Sequence, residues 1–291
     1  MFKWVKKYPL FALTAFLFAL VLFIFYLDYR DGKKEFVFAM LDVGQGDALF
    51  IQSPTGTQIL IDSGPPGRIL GKLSRAMPLF DRSLDAIIVT NPDQDHIGGF
   101  LDVLDSYKVG KFFEPGTFND SKTYQNLKEE IKNRKIPQFL ARKGMTLDLG
   151  GGAKLEILFP DRDVSLWDTN DGSIVTRLTY GNTSILLMGD STLETEEMIL
   201  KSNPKEKIKT QILKVGHHGS RTSSSYNFIK LAKPEYALIS NGRENKYGHP
   251  HEATLDVLNQ FGAKILQTDL LGTIIVKSDG TMLRWQYEDE R

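Results

Sequence analysis

Cysteine is absent from the 291 residues. That removes disulfides, thiolate metal ligands and cysteine nucleophiles together, so a metal centre here must be built from imidazole, carboxylate and carbonyl donors. Net charge is lacking as well. The 36 basic and 36 acidic side chains balance, which leaves no global field to attract nucleic acid, and polyanion binding has to come from a local patch. No repeat of fixed period and no low-complexity segment occurs. Histidine is scarce, at five residues, and its placement is correspondingly informative.

One long apolar run stands out. Lys7 and Asp28 bracket an uncharged stretch, Tyr8 to Leu27, that is almost continuous Leu, Phe, Ala, Val and Ile from Leu10 onward. At about 1.5 Å per residue such a helix covers roughly 30 Å, one hydrocarbon core. Pro9 stands at its start, where a missing N–H costs least. Tyr8, Tyr26 and Tyr29 mark the two interfaces. Bulky residues follow the run where a cleavable signal peptide needs small ones. The expectation is a single-pass protein of the cell membrane, with a basic head over 1–7, a transmembrane helix over 8–27 in contact with the lipid bilayer, and a linker over 28–35. The head, purely basic through Lys3, Lys6 and Lys7, favours the cytoplasmic side, which puts the domain of residues 36–291 outside the cytoplasm.

All five histidines lie in clusters that also hold carboxylates or glycines. Asn91-Pro92-Asp93-Gln94-Asp95-His96 follows the apolar run 85–90, so two carboxylates and an imidazole fall at the end of a buried strand. Asp190 ends Leu-Leu-Met-Gly-Asp, the pair His217-His218 follows the strand-like run 211–215, and His249 and His251 flank Pro250. Hard oxygen donors mixed with imidazole suit Zn²⁺ or Mn²⁺ better than Ca²⁺. The bland alternatives are helix caps at Asp95 and Asp190, and a helix N-terminal position for His251. Asp62 reads as a group that orients a ligating histidine through a hydrogen bond. Lys201, Lys205, Lys207 and Lys209 form a basic run whose bland reading is a solvated loop and whose sharper reading is a phosphate-tracking edge.

Hairpin-linked strands fill the first half, and strands alternate with helices in the second. That pattern suggests an α+β sandwich of two sheets with helices outside. A doubly wound parallel sheet fits the second half alone.

The ordered set Asp42-Val-Gly-Gln-Gly-Asp47, Leu60-Ile-Asp-Ser-Gly64, Asn91 to Gly99, Asn170-Asp-Gly-Ser173, Leu187-Met-Gly-Asp190, Lys214 to Ser220 and Tyr247-Gly-His-Pro-His251 resembles the metallo-β-lactamase superfamily. More narrowly it resembles the hydrolase domain of ComEC-type DNA-uptake (competence) proteins. The resemblance implies an αβ/βα sandwich and a metal-dependent hydrolase of phosphodiester bonds, with single-stranded DNA as a substrate. It implies Asp95, His96 and Asp190 as the catalytic centre and Asp93, Asp95, His96, Asp190 and His217 as metal ligands. Asn91, His218, His249, Asn170 and Ser173 remain as further ligand or substrate-binding candidates, and the choice between His217 and His218 stays open.

Two departures from the family pattern matter. Asn91 stands where histidine is usual, and no histidine lies between His96 and His217. One of two metal sites is therefore weakened, and one tightly bound Zn²⁺ or Mn²⁺ is expected. ComEC-type proteins also carry a multi-helix channel, whereas this sequence has one apolar helix, so a separate membrane channel protein is an expected partner. Two other functions remain open at this level: a cell-envelope phosphoester hydrolase, and a non-catalytic binding module with a decayed metal site.

Overall fold

Strand β1 (Phe36–Met40) shows how the sequence builds its layers. Its alternate residues Phe36, Phe38 and Met40 enter one apolar core, while Ala39 enters another. A strand buried on both faces lies between two layers, one of sheet and one of helix. The computed structural model describes residues 9–31 and 35–288. The expected basic head, and residues 32–34 of the expected linker, lie outside them.

The other strands, in chain order, are β2 (Leu49–Gln52), β3 (Gln58–Ile61), β4 (Ser83–Leu84), β5 (Ala86–Ile88), β6 (Lys108–Val109), β7 (Phe112–Glu114), β8 (Gln138–Leu140), β9 (Thr146–Gly150), β10 (Ala153–Phe159), β11 (Val175–Tyr180), β12 (Thr183–Leu187), β13 (Ile212–Lys214), β14 (Tyr236–Ile239), β15 (Lys264–Gln267), β16 (Ile274–Ser278) and β17 (Leu283–Tyr287). One sheet runs β17-β16-β1-β2-β3-β5-β7-β8 and the second runs β15-β14-β13-β12-β11-β10-β9. Between them lies a core that includes Phe38 and Ile61 from the first and Ile157, Leu187 and Leu238 from the second. The helices Ile69–Ala76, Phe100–Ser106 and Lys122–Asn133 cover the outer face of the first sheet. Leu193–Ser202, Tyr226–Ala232 and Glu252–Gln260 cover the second. This is the αβ/βα sandwich.

The chain divides into two units at Lys34/Glu35. In the first, the helix Pro9–Asp31 carries an 18-residue stretch, Pro9–Tyr26, apolar enough to span a membrane. Its large apolar side chains up to Tyr26 are exposed.

Two segments are broken by close backbone approach. The extended segment 108–114 divides into β6 and β7, because Gly110 passes so near Asp85 that a Cβ would stand 2.7 Å from its carbonyl oxygen. The helical segment that starts at Gln94 pauses at Gly98-Gly99, where added Cβ atoms would meet Pro66 and the Ser63 carbonyl at 2.5 Å. His96 therefore sits in a short first turn, Gln94–Ile97, packed on the loop that follows β3.

The topology positions the site. Strands β3 and β5 run parallel, and β1 shares their direction through two antiparallel pairings. Strands β12, β13 and β14 are parallel in the second sheet. The loops leaving the C-terminal ends of both sets meet at one edge of the sandwich, where Ser240 donates to the Gly46 carbonyl at 2.6 Å.

Candidate metal centre

The loop after β3 supplies Asp62, fully buried and held at a positive φ of 58°. Its Oδ1 accepts the Thr90 backbone N–H at 2.8 Å and its Oδ2 the Thr90 hydroxyl at 2.5 Å. The same Oδ2 lies 2.8 Å from His96 Nδ1. This contact places the His96 proton on Nδ1 and frees Nε2 as a donor of electrons.

That Nε2 points at Asp190, the residue after the Gly189 turn that ends β12. Nε2 and Asp190 Oδ2 are 3.1 Å apart, yet Nε2 makes no hydrogen bond. His218 presents its Nε2 to the same place, 3.5 Å from Asp190 Oδ2 and 3.4 Å from Asp95 Oδ2. Its Nδ1 is anchored 2.9 Å from the Ser240 carbonyl. One potential ligand atom from each of Asp95, His96, Asp190 and His218 lies within 4.8 Å of the other three. His96 Nε2, His218 Nε2 and Asp190 Oδ1 are buried without a partner. Buried polar atoms left unpaired cost about 1–3 kcal/mol each, and the approach of both Nε2 atoms to Asp190 Oδ2, with Asp95 closing the group within 4.8 Å, fits a cation bound between the four residues. Two imidazoles and two carboxylates form a set of borderline hardness that suits first-row divalent ions.

Electrostatics carry the same signature. Burial alone favours a neutral His218, but the carboxylates of Asp190 and Asp47 push it up to about 10. Burial likewise opposes charge on His96, and Asp190, Asp62 and Asp95 overcome it and raise the ring well above its ordinary value. Burial would raise Asp190, yet His218 and His96 hold it well below the usual carboxylate range. The carboxylates thus draw protons onto the same two rings that would hold a cation. Between pH 6 and 8 an incoming ion must displace at least the His218 proton. Metal affinity is therefore expected to tighten by at least about tenfold per pH unit. Chelator competition at fixed pH values measures this, and an affinity flat across that range would show that no proton leaves His218 when the ion binds.

The remaining expected residues fall at different distances. His217 and His218 both take left-handed backbone, with φ of 48° and 55°, so the two rings diverge. His217 stands at the rim, with Nε2 3.8 Å from Asp190 Oδ2 and Nδ1 3.1 Å from the Thr222 hydroxyl. It is not one of the four clustered residues. Asp93 lies outside the cluster too. Its carboxylate accepts from Thr169 Oγ1 at 2.9 Å and from Asn119 Nδ2 at 3.3 Å, and burial raises its pKa despite the Thr169 bond. Asn91 is buried, and its Oδ1 accepts the Asp93 N–H at 2.9 Å. The Asn170 Oδ1 and Ser173 Oγ are buried without partners, and Ser173 adjoins the Gly189 turn. His249 packs against the rings of His217 and His218 at 5.7 and 6.3 Å, and burial followed by repulsion from those rings lowers it to about 4. His251 stands at the N-cap of Glu252–Gln260.

The lysine run lies elsewhere. The helix Lys205–Ile208 precedes β13, whereas His217 follows it, so run and cluster occupy opposite ends of that strand. Lys207 is paired with Glu156, and Lys201 with Glu197.

Two supports escaped the sequence reading. Lys214 is fully buried, paired with Asp47, and donates to the Gly189 carbonyl at 3.0 Å. The available signal was a lone lysine inside the apolar strand β13. Glu196 accepts the backbone N–H groups of Ser224 and Ser225 at 2.5 and 2.7 Å, which fixes the far end of the histidine loop. Nothing in the pattern of a surface helix marks that glutamate.

Residues 41–243 match the metallo-beta-lactamase superfamily model. The chain is 32% identical over 279 residues to ComE operon protein 3 of Bacillus subtilis (strain 168), across 87% of this chain and 34% of that protein. It is 28% identical over 264 residues to competence protein ComA of Neisseria gonorrhoeae, across 88% and 35%. The chain thus spans about a third of the length of these relatives. It superposes on the metallo-beta-lactamase fold protein YhfI of Bacillus subtilis with a TM-score of 0.52 at 14% identity, covering 79% of this chain and 96% of that one. It also superposes on CmlA, a diiron beta-hydroxylase from Streptomyces venezuelae, with a TM-score of 0.53 at 14% identity, covering 84% and 54%. At these identities the superpositions carry the fold alone.

Proposed function

The chain belongs to the metallo-β-lactamase superfamily, a superfamily of metal-dependent hydrolases, and from that premise we propose that it hydrolyses phosphodiester bonds, with single-stranded DNA as the substrate. The observation that carries the reading is the set of unpartnered buried atoms on His96, His218 and Asp190, closed by Asp95. These four residues are the proposed ligands of one tightly held Zn²⁺ or Mn²⁺.

A divalent ion held there supplies Lewis-acid chemistry, polarising a phosphoryl oxygen and activating water at neutral pH. The protein's part is orientation and access. Asp62 and the Ser240 carbonyl hold the two rings with Nε2 inward. Asp190, between both rings, balances their charge. Asp95 is 35% exposed, so substrate approaches from its side. His249 offers an uncharged ring beside the cluster, able to hydrogen-bond a phosphoryl or leaving-group oxygen. Asn91 and Asp93, engaged with each other and with Asn119 and Thr169, leave the second site weak in this reading.

The similarity to competence protein ComA supports the DNA reading, and the helix Pro9–Asp31 is the proposed anchor, with the domain outside the cytoplasm. Protease access to the domain in spheroplasts decides that orientation. The full chain, purified in detergent and dialysed, is expected to retain about one ion per chain and to cleave labelled single-stranded DNA in a metal-dependent way. Metal retention without turnover on DNA or small phosphodiesters would instead support a binding module. Turnover confined to a glycerol-phosphate polymer would support an envelope substrate.

A further inference from the structure

A cleft of about 400 Å³ opens beside Asp95, the most exposed member of the cluster. Pro65 and Pro66 give it flat apolar lining, and Gln45 and Gln94 contribute amides. Tyr247 and Lys246 come to it from the loop after β14. That loop is stapled internally. Asn245 Nδ2 donates to the carbonyls of Gly242 and His249 at 2.9 and 2.6 Å, and its Oδ1 accepts the His249 N–H at 2.9 Å. Gln45 Oε1 accepts the Gly242 N–H at 3.2 Å, which ties the loop after β1 to the same frame.

The staple holds Tyr247 out of the core. The residue is 53% exposed, its ring is backed by His249 at 5.6 Å with planes 22° apart, and Lys246 Nζ lies 5.0 Å from the ring centroid. Exposing an aromatic ring beside a hydrolytic centre has no packing reward. It does offer a π-face at low ordering cost, because the loop is already fixed. The ammonium over that face is solvated and on a flexible stem, free to swing to an anion. Apart from Lys246 and Asp95 the lining has no charged side chain. The cleft therefore selects a flat, neutral ring that carries an anionic group near one edge.

We propose that this cleft is a nucleobase subsite: the base next to the scissile phosphodiester stacks on Tyr247, and a flanking phosphate pairs with Lys246. The subsite deepens the phosphodiesterase reading and rests on it. Stacking is tolerant of base identity, since every base has a π-face. The Gln94 amide can serve as either donor or acceptor to the base edge, whereas the Gln45 amide is engaged with Gly242 and His249. The expected preference is for unpaired strands of any sequence.

The test uses the full, metal-loaded chain in detergent and two phosphorothioate oligomers of equal length that resist cleavage, one with natural bases and one abasic. Wild type is expected to bind the natural oligomer about tenfold more tightly. Tyr247→Ala should narrow that gap to within about twofold, while Tyr247→Phe should keep it. Lys246→Gln should weaken both oligomers and flatten the salt dependence by about one phosphate contact. An unchanged gap in Tyr247→Ala, or equal binding of both oligomers by wild type, overturns the base subsite. So does a glycerol-phosphate polymer that competes as well as the natural oligomer. A salt slope unaffected by Lys246→Gln overturns the phosphate contact. Cleavage of ordinary DNA is scored separately. Base discrimination without cleavage keeps the cleft and sinks the hydrolase reading, and cleavage without discrimination does the reverse.

Discussion

His218→Ala is expected to abolish tight metal binding, lowering affinity by more than about 100-fold, beyond the range for losing an outer hydrogen-bond partner of a ligand. Metal-dependent turnover should fall with it. His218 is buried, anchored through Nδ1, and aims an unpartnered Nε2 at Asp190 and Asp95. Removing it leaves two carboxylates facing a single imidazole. His217→Ala should cost less than about tenfold, because that ring is at the rim, 3.8 Å from Asp190 and engaged with Thr222. Chelator competition and single-turnover cleavage on both variants measure the contrast. A larger loss at His217 than at His218 would return the ligand role to His217.

Lys214→Met is expected to be the most destabilising single change near the site. Lys214 and Asp47 form an ion pair whose side chains are at most 1% exposed. Removing one partner strands the other charge in the interior, which costs about 3–5 kcal/mol. For a domain of this size that lowers Tm by roughly 6–20 °C. The consequence should reach the metal, since Lys214 also holds the Gly189 carbonyl next to Asp190, and Asp47 Oδ1 lies 3.5 Å from His218 Nδ1. The double variant Asp47→Leu, Lys214→Met should recover much of the lost Tm, because it buries no lone charge. Thermal unfolding of the single and double variants decides it. A shift below about 2 °C in Lys214→Met would show that the pair does not support the fold.

The sandwich and the neighbourhood of the site were legible because both depend on short-range chemistry. Short continuous apolar runs such as Phe36–Met40 announce strands buried on both faces. The Gly181-Asn182 pair announces the tight turn between Tyr180 and Thr183. Donor residues concentrated at strand ends announce a centre that many loops share, and that concentration offers Asp93, Asp95, His96, Asp190, His217, His218 and His249 together without choosing among them. The uncharged run from Tyr8 likewise announces a membrane-length helix without any tertiary information.

What the sequence could not decide depends on direction in space. His217 and His218 are chemically identical neighbours. The left-handed backbone at both and the Ser240 carbonyl turn only the second ring inward. Asp93 and Asp95 differ by two residues, yet Asn119 and Thr169 occupy the first while the second faces the histidines. The lysine run and the histidine pair are close in sequence, but β13 separates them to opposite ends of one strand. Lys214 stands out as a lone lysine in an apolar strand, but only the fold supplies its partner, Asp47, from 167 positions away. Each of these outcomes comes from contacts between distant segments, and local pattern carries no record of such contacts.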